Sequence, residues 1–190
     1  MITMKTINAS NQEERDAFFT SLDQRTGETN QRVTETVSEI IRTVKEGGDE
    51  AVKNYTLKFD GSLPEYYEVP RDVINDALTN ADGEFVSAML NAIENVRDFH
   101  QRQVQEGFIN ALPNGVILGQ RVRGLERVGL YVPGGTAAYP SSVIMNAVPA
   151  KIAGVKEIIM VTPPCKDGTP NPDILVAAGL CGVDRVFLSG

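Results

Sequence analysis

The chain has 190 residues, of which 42% are hydrophobic, and a formal net charge of −7 at pH 7. This amount of apolar sequence is sufficient for a sizeable core in a globular protein. Acidic residues are interspersed with basic ones and no basic run occurs, which argues against a nucleic-acid-binding surface.

No uninterrupted apolar stretch approaches the roughly 20 residues that a membrane helix needs, and the opening residues lack the apolar centre of a signal peptide. We therefore expect a cytoplasmic protein with no membrane partner. The two cysteines, Cys165 and Cys181, are too few for a disulfide framework or a clustered zinc site. Both are expected to be buried or partly buried thiols.

The first part of the chain has helical periodicity. Apolar residues recur at steps of three and four between Val33 and Val44, which places them on one face of a helix. Gly47 and Gly48 are predicted to end this helix, and Asp49 to cap the next one. Two further helices are predicted within residues 69–82 and 84–103. We interpret residues 1–110 as an N-terminal helical region.

From about residue 115 the apolar period shifts to two, which predicts a short antiparallel pair leading into a strand at 128–132. Strands at 157–161 and 185–188 then alternate with helices at 142–153 and 172–181. Pro149 is expected to kink or divide the first of these helices, because it lacks an amide. The predicted fold class is α/β, in which an N-terminal helical segment precedes an incomplete Rossmann-like β-α-β-α-β parallel sheet in residues 111–190.

The stretch "YVPGGTAAYPSS", residues 131–142, joins the first of these parallel strands to its helix. Glycines let the backbone approach a pyrophosphate, a helix start offers unpaired amides, and a tyrosine can stack or hydrogen-bond at a cofactor. The stretch nevertheless departs from the G-x-G-x-x-G pattern of dinucleotide-binding turns. From the residues alone, a turn whose glycines satisfy only backbone geometry is the favoured alternative.

The stretch "RVGLYVPGGTAAYPSSVIMNAVPAKIAGVKEIIMVTPP", with "GDEAVKNYTLKFDG" and "IENVRDFHQRQ" upstream, closely resembles the N-terminal portion of histidinol dehydrogenases. The resemblance implies a homodimeric enzyme, dependent on zinc and NAD, that oxidises L-histidinol through L-histidinal to L-histidine. These are the last steps of histidine biosynthesis. It also implies that Tyr131 contacts NAD and that Pro133, Gly134 and Gly135 form the turn beside it.

In the family that this chain resembles, the zinc ligands and the catalytic glutamate–histidine pair lie later in the sequence. The single histidine here, His100, has no cysteine or second histidine near it, so we expect a packing or hydrogen-bonding role. Glu94 and Asp98 lie four residues apart on a predicted helix and are interpreted as solvated carboxylates. We therefore predict no catalytic residue, no metal ligand and no turnover by these 190 residues alone.

The sequence ends at Ser189 and Gly190, directly after a predicted parallel strand, where ligands of such sheets commonly bind. Because domain boundaries usually fall in exposed linkers, we expect the chain to be the front part of a longer protein. Two alternatives stay open. One is a fragment of a related zinc and NAD alcohol dehydrogenase with another substrate, and the other is a non-catalytic nucleotide-binding module.

Overall fold

The computed structural model describes residues 6–8, 10–134 and 138–190, and of residues 23–30 it describes the backbone alone. Its helices are α1 (Gln12–Asp60), α2 (Arg71–Thr79), α3 (Gly83–Gln101), α4 (Pro140–Ile152) and α5 (Pro172–Leu180). Its strands are β1 (Phe108–Ala111), β2 (Ile117–Gln120), β3 (Arg127–Tyr131), β4 (Glu157–Thr162) and β5 (Arg185–Leu188). The chain divides into two units, Met1–Val52 and Lys53–Gly190. Within the described ranges, no helix combines the length and apolar character that crossing a membrane requires.

Helix α1 accounts for the helical structure of the first unit. Val33, Val37 and Ile41, which share the predicted apolar face, are each about half exposed. At Gly48 the backbone leaves the helical region, with φ 55° and ψ −139°, a conformation that is open mainly to glycine. The predicted break at the glycine pair is therefore confirmed.

The second unit is built around a parallel sheet with the strand order β3-β4-β5. Val128 lies opposite Ile158, and Met160 lies opposite Val186. Helix α4 connects β3 to β4, and α5 connects β4 to β5, which confirms the predicted β-α-β-α-β order. Alternate residues of β4 and β5 are fully buried because they face these helices.

The core lies between the sheet and helices α4 and α5. On the outer side, α3 packs on α4 and α2 packs on α5. Gly179 makes the second contact close, because a Cβ atom at this position would lie 2.7 Å from Cδ1 of Leu78. Helices α4 and α5 are therefore packed between the sheet on one side and α3 and α2 on the other.

A short segment outside the named strands extends the sheet beyond β5. The amide of Leu188 donates to the carbonyl of Tyr67 at 2.7 Å, and the amide of Val69 donates to the carbonyl of Val186 at 2.9 Å. Between them, Glu68 forms an antiparallel bridge with Phe187. This antiparallel edge was not predicted, because three residues are too short a run to produce a periodic signal.

An antiparallel pair precedes β3 as predicted, but its first strand, β1, lies before residue 115, where the pair was predicted to begin. Strand β1 lies largely within the part interpreted as helical, and every residue of both strands is exposed. The turn between them is closed by the amide of Gly115, which donates to the carbonyl of Leu112 at 2.9 Å. Gly115 has φ 86°, which favours glycine.

The expected division of the helix at Pro149 does not occur. Helix α4 runs through this residue to Ile152, and the amide of Ala153 donates to the Pro149 carbonyl at 2.9 Å. A proline removes one amide donor from a helix interior. Here the preceding Ala147 and Val148 are buried in the core, so their packing holds the helix together across that position.

Candidate functional site

The carboxyl end of β3 separates a buried side chain from an exposed one. Tyr131 ends the strand with 58% of its surface exposed, and the next residue, Val132, is fully buried. The ladder continues past the strand, since the amide of Val132 donates to the carbonyl of Val161 at 2.9 Å. This alternation fixes Tyr131 on the sheet face that points away from α4 and α5.

Gly134 lies where the turn after β3 passes the end of β4. A Cβ atom at this position would lie 3.2 Å from both the carbonyl oxygen of Pro163 and Oγ1 of Thr162. That spacing is tighter than ordinary van der Waals contact, so a glycine suits this close approach of the two chain segments. The neighbouring Gly135, also predicted to belong to the turn, lies outside the described residues.

Beneath this turn lies a buried polar atom. Thr162 is 1% exposed, and its hydroxyl has no hydrogen-bond partner among the described residues. Buried hydroxyls are normally hydrogen-bonded, because an unmade bond costs about 1–3 kcal/mol. The combination of Gly134 and Thr162 therefore marks the end of β4 as a place that packing alone does not explain.

Helix α4 starts a few residues further along the chain. Tyr139 is its N-cap residue and makes no side-chain cap hydrogen bond, and Pro140 occupies the first turn. The amide of Ser142 donates to the carbonyl of Tyr139 at 2.9 Å. Because the side chain of Tyr139 makes no cap hydrogen bond, the positive end of the helix dipole can stabilise an anion.

The other end of the same sheet edge carries a carboxylate. Asp60 accepts a hydrogen bond from the amide of Gly190 at 3.2 Å. Burial raises the pKa of Asp60, although the bond from Gly190 works in the opposite direction. A carboxylate beside β5 disfavours a phosphate there, so anion binding at this edge is favoured on the β3 side. Sequence reasoning missed this contact because its partners are 130 residues apart.

Tyr131, Pro133 and Gly134 lie together at the carboxyl end of β3, as expected from their positions in the sequence. Pro133 is exposed and Gly134 is half-buried. His100 lies on α3 instead, with Nδ1 2.6 Å from Oε1 of Gln103. Its ring meets that of Phe99 edge-on. These contacts agree with the predicted packing or hydrogen-bonding role.

The described residues do not fit a zinc site. No group of three or more His, Cys, Asp or Glu side chains within them could hold a metal ion. Burial raises the pKa of the Cys181 thiol to about 11, which disfavours the thiolate that zinc binds. Glu94 and Asp98 are exposed on α3, as predicted for solvated carboxylates.

The carboxyl end of β3 does fit a dinucleotide. A parallel β-α-β-α-β unit with a close glycine turn and an uncapped helix start after its first strand has the arrangement by which α/β proteins bind nucleotides. The parallel sheet with its two connecting helices therefore defines a protein of the α/β class.

Comparison with known proteins supplies the family. Residues 23–190 match the family model described as histidinol dehydrogenase. The chain is 51% identical over 173 residues to a histidinol dehydrogenase of Clostridium acetobutylicum, covering 91% of this chain and 40% of that protein. It is also 51% identical over 155 residues to one from Streptococcus mutans, covering 82% of this chain and 36% of that protein. The chain belongs to the histidinol dehydrogenase family.

A solved structure agrees with these matches. Crystalline histidinol dehydrogenase from Elizabethkingia anophelis superposes with a TM-score of 0.77 at 34% identity, covering 83% of this chain and 36% of that chain. The α/β fold class is thereby confirmed by a relative as well as by topology. The chain spans about two fifths of the length of the curated relatives that it matches.

Proposed function

We propose that this chain forms the NAD side of a histidinol dehydrogenase, an enzyme that oxidises L-histidinol through L-histidinal to L-histidine in histidine biosynthesis. The observation that carries the proposal is the family match over residues 23–190. The relatives' names favour this activity over oxidation of another alcohol and over a non-catalytic module. Residues 111–190 are the proposed NAD-side domain, and residues 1–110 the helical region before it.

The proposed cofactor contacts are Tyr131, Pro133, Gly134 and Gly135. The exposed ring of Tyr131 can stack on a planar group, and the open start of α4 can stabilise a phosphate. Gly134 lets the turn pass close to the end of β4. NAD, when bound, accepts hydride from the substrate, while these residues bind and orient it.

The proposal assigns zinc binding and proton transfer to residues other than those of this chain. The lack of fit among the described side chains supports that assignment. Homodimerisation and a cytoplasmic location are part of the proposal and rest on resemblance to the family.

NAD binding and catalysis can be tested separately on the purified chain. Calorimetric titration is expected to detect binding of NAD to the unaltered chain. Tyr131→Ala is expected to weaken the affinity for NAD by about tenfold, since base–aromatic stacking contributes about 1–3 kcal/mol. Tyr131→Phe, which keeps the ring, serves as the matched control. If both variants bind NAD as tightly as the unaltered chain, Tyr131 does not belong to the cofactor site.

Catalysis is tested with L-histidinol, NAD and zinc on a sample whose intact mass is measured. We expect no NADH absorbance from the chain alone, because no catalytic residue is predicted in it. NADH formation by a sample with the mass of the 190-residue chain would contradict the proposal that the catalytic residues lie outside this chain.

A further inference from the structure

A cavity of about 580 Å³ opens at the amino ends of β3 and β4, at the opposite ends of these strands from Tyr131 and Gly134. Its walls come from three segments, namely the turn after α3, the residues before β3, and the last turn of α4 with the start of the connection to β4. Pockets that bind small molecules have volumes of roughly 300–1,000 Å³. The cavity is therefore large enough for a small organic molecule.

Main-chain contacts fix two of these walls against each other. A Cβ atom at Gly124 would lie 2.5 Å from the carbonyl oxygen of Ala153, so only a glycine lets the residues before β3 pass this close to the end of α4. The amide of Lys156 donates to the carbonyl of Leu125 at 3.4 Å. Because the backbone sets the distance between these walls, little rearrangement is needed for a ligand to enter.

Most of the side chains that line the cavity are aliphatic. They extend from Val155, which is 8% exposed, to Leu125, which is 66% exposed. The aliphatic lining residues are Val104, Val122, Leu125, Pro149, Ile152 and Val155. The apolar body of a ligand would remove the exposed members of this set from water, which is favourable.

The polar part of the lining favours an anion. Arg123 and His100 line the cavity, and none of the described lining residues is acidic, although the chain has 25 acidic residues against 18 lysines and arginines. The guanidinium of Arg123 has no hydrogen bond or ion pair with another described residue. Nδ1 of His100 lies 2.6 Å from Oε1 of Gln103, which leaves Nε2 for a ligand. Arginine binds carboxylates through two parallel hydrogen bonds.

We propose that this cavity binds a small amphipathic carboxylate. Its apolar body contacts the aliphatic lining, and its carboxylate accepts hydrogen bonds from the guanidinium of Arg123. Inorganic phosphate would leave the aliphatic lining uncovered, and a neutral hydrocarbon would leave the guanidinium without a partner. The inference does not depend on the proposed NAD contact, since Tyr131 lies at the other end of β3.

The probe is 3-phenylpropionate, titrated into the purified chain and followed by the NMR shifts of backbone amides. Saturable shifts are expected within residues 103–105, 122–125 and 152–155. The neutral 3-phenylpropionamide should bind about three- to fivefold more weakly, since ion pairs at exposed sites are weak. Inorganic phosphate should cause no saturable shift there. Equal binding of the amide, or no saturable shift with 3-phenylpropionate, would overturn the proposal.

The charge is tested on the protein side with Arg123→Gln. This exposed side chain can be changed without disturbing the core, and affinity for 3-phenylpropionate should fall about three- to fivefold. Arg121→Gln removes the same charge two residues away, outside the cavity lining, and should leave affinity unchanged. Arg123→Lys keeps a positive charge and should retain part of the affinity. Equal losses in Arg123→Gln and Arg121→Gln would indicate nonspecific attraction and overturn the assignment.

The aliphatic lining is tested with Leu125→Ala, which should weaken 3-phenylpropionate binding about threefold because less apolar surface is buried. Leu118→Ala is the matched control, since Leu118 is also more than half exposed and lies outside the cavity lining. An unchanged affinity in Leu125→Ala, or an equal loss in Leu118→Ala, would contradict an apolar contact in the cavity.

Two further measurements separate this site from other occupants. Saturating NAD should leave the affinity for 3-phenylpropionate unchanged, whereas competition would assign the cavity to the cofactor. The affinity should also be independent of protein concentration. If it falls as the concentration rises, and light scattering gives the mass of a dimer, a second copy of the chain covers the cavity and the proposal is wrong.

Discussion

Helices α4 and α5 have the same place in the topology but begin differently. Each follows a parallel strand and each has proline in its first turn, Pro140 in α4 and Pro172 in α5. The side chain of Asn171 accepts hydrogen bonds from the amides of Asp173 and Ile174 at 3.0 and 3.2 Å, which closes the start of α5. The start of α4 has no such side-chain cap.

The two helices also differ in burial. Five consecutive residues of α5, from Ile174 to Ala178, are buried, so this helix is enclosed on all sides. Helix α4 buries one face, while Met145 on its other side is 56% exposed. The comparison indicates that α5 mainly stabilises the fold, whereas the first turn of α4 receives no cap hydrogen bond from its N-cap side chain.

The largest expected effect is on stability, from truncation within α5. Leu175→Ala should lower the free energy of unfolding by about 2–5 kcal/mol, because it removes a side chain that is 2% exposed and leaves a cavity. Met145→Ala in α4 is the matched control, expected to change stability by at most about 0.5 kcal/mol. Urea unfolding of both variants measures the difference in stability. Equal losses of stability in the two variants would contradict the inference that α5 is more deeply buried than α4.

A second prediction concerns the open start of α4. Tyr139→Asp places a carboxylate at the N-cap, where it satisfies free amides and repels a phosphate. NAD affinity should fall about tenfold, which corresponds to about 1.4 kcal/mol. Tyr139→Asn adds a neutral capping group and should weaken NAD binding less. Unchanged affinity in the aspartate variant would exclude the α4 start as the phosphate position.

The third prediction addresses the closed start of α5. Asn171→Ala removes the acceptor of two amide hydrogen bonds and should lower stability by about 1 kcal/mol. Asn171→Asp keeps an acceptor and should retain most of that stability. NAD titration should give the same affinity for all three proteins, and a loss confined to the alanine variant would mean that α5 also contributes to the cofactor site.

Strong local signals account for what the sequence predicted correctly. Strand β5 was predicted with its observed bounds, and α5 within one residue, because apolar runs there are bounded by Pro172, Gly182 and Gly190. Strand β1 was missed because its four residues are all exposed and carry no alternating pattern. The guanidinium of Arg185 donates two hydrogen bonds to the carboxylate of Glu68, each at 2.7 Å, and no local pattern predicts a contact between residues 117 apart.

The candidate site was predicted from resemblance more than from pattern. Tyr131 and Gly134 were named because the surrounding stretch resembles a family, and the close approach of Gly134 to Thr162 became visible only in three dimensions.

The smallest expected effect concerns the carboxyl end of α4, where Asp184, the residue before β5, contacts both the helix and β4. The carboxylate of Asp184 accepts from the amide of Ile158 at 2.7 Å and lies 3.2 Å from Nζ of Lys151, in the last turn of α4. Burial alone would raise the pKa of Asp184, but these two hydrogen bonds and the charges of Lys151 and Arg71 outweigh it and lower the pKa.

A carboxyl group with a lowered pKa in the folded state stabilises the fold above its ordinary value of 3.8, and that contribution is lost as the pH falls through the folded-state pKa. The side chain of Asp184 is 39% exposed, so screening by solvent keeps the effect small. Unfolding measured across this acid range should show a shallower pH dependence for Asp184→Asn, which keeps an oxygen for the Ile158 amide and loses only the charge. An unchanged slope would show that the charge of Asp184, paired with Lys151, does not stabilise this end of α4.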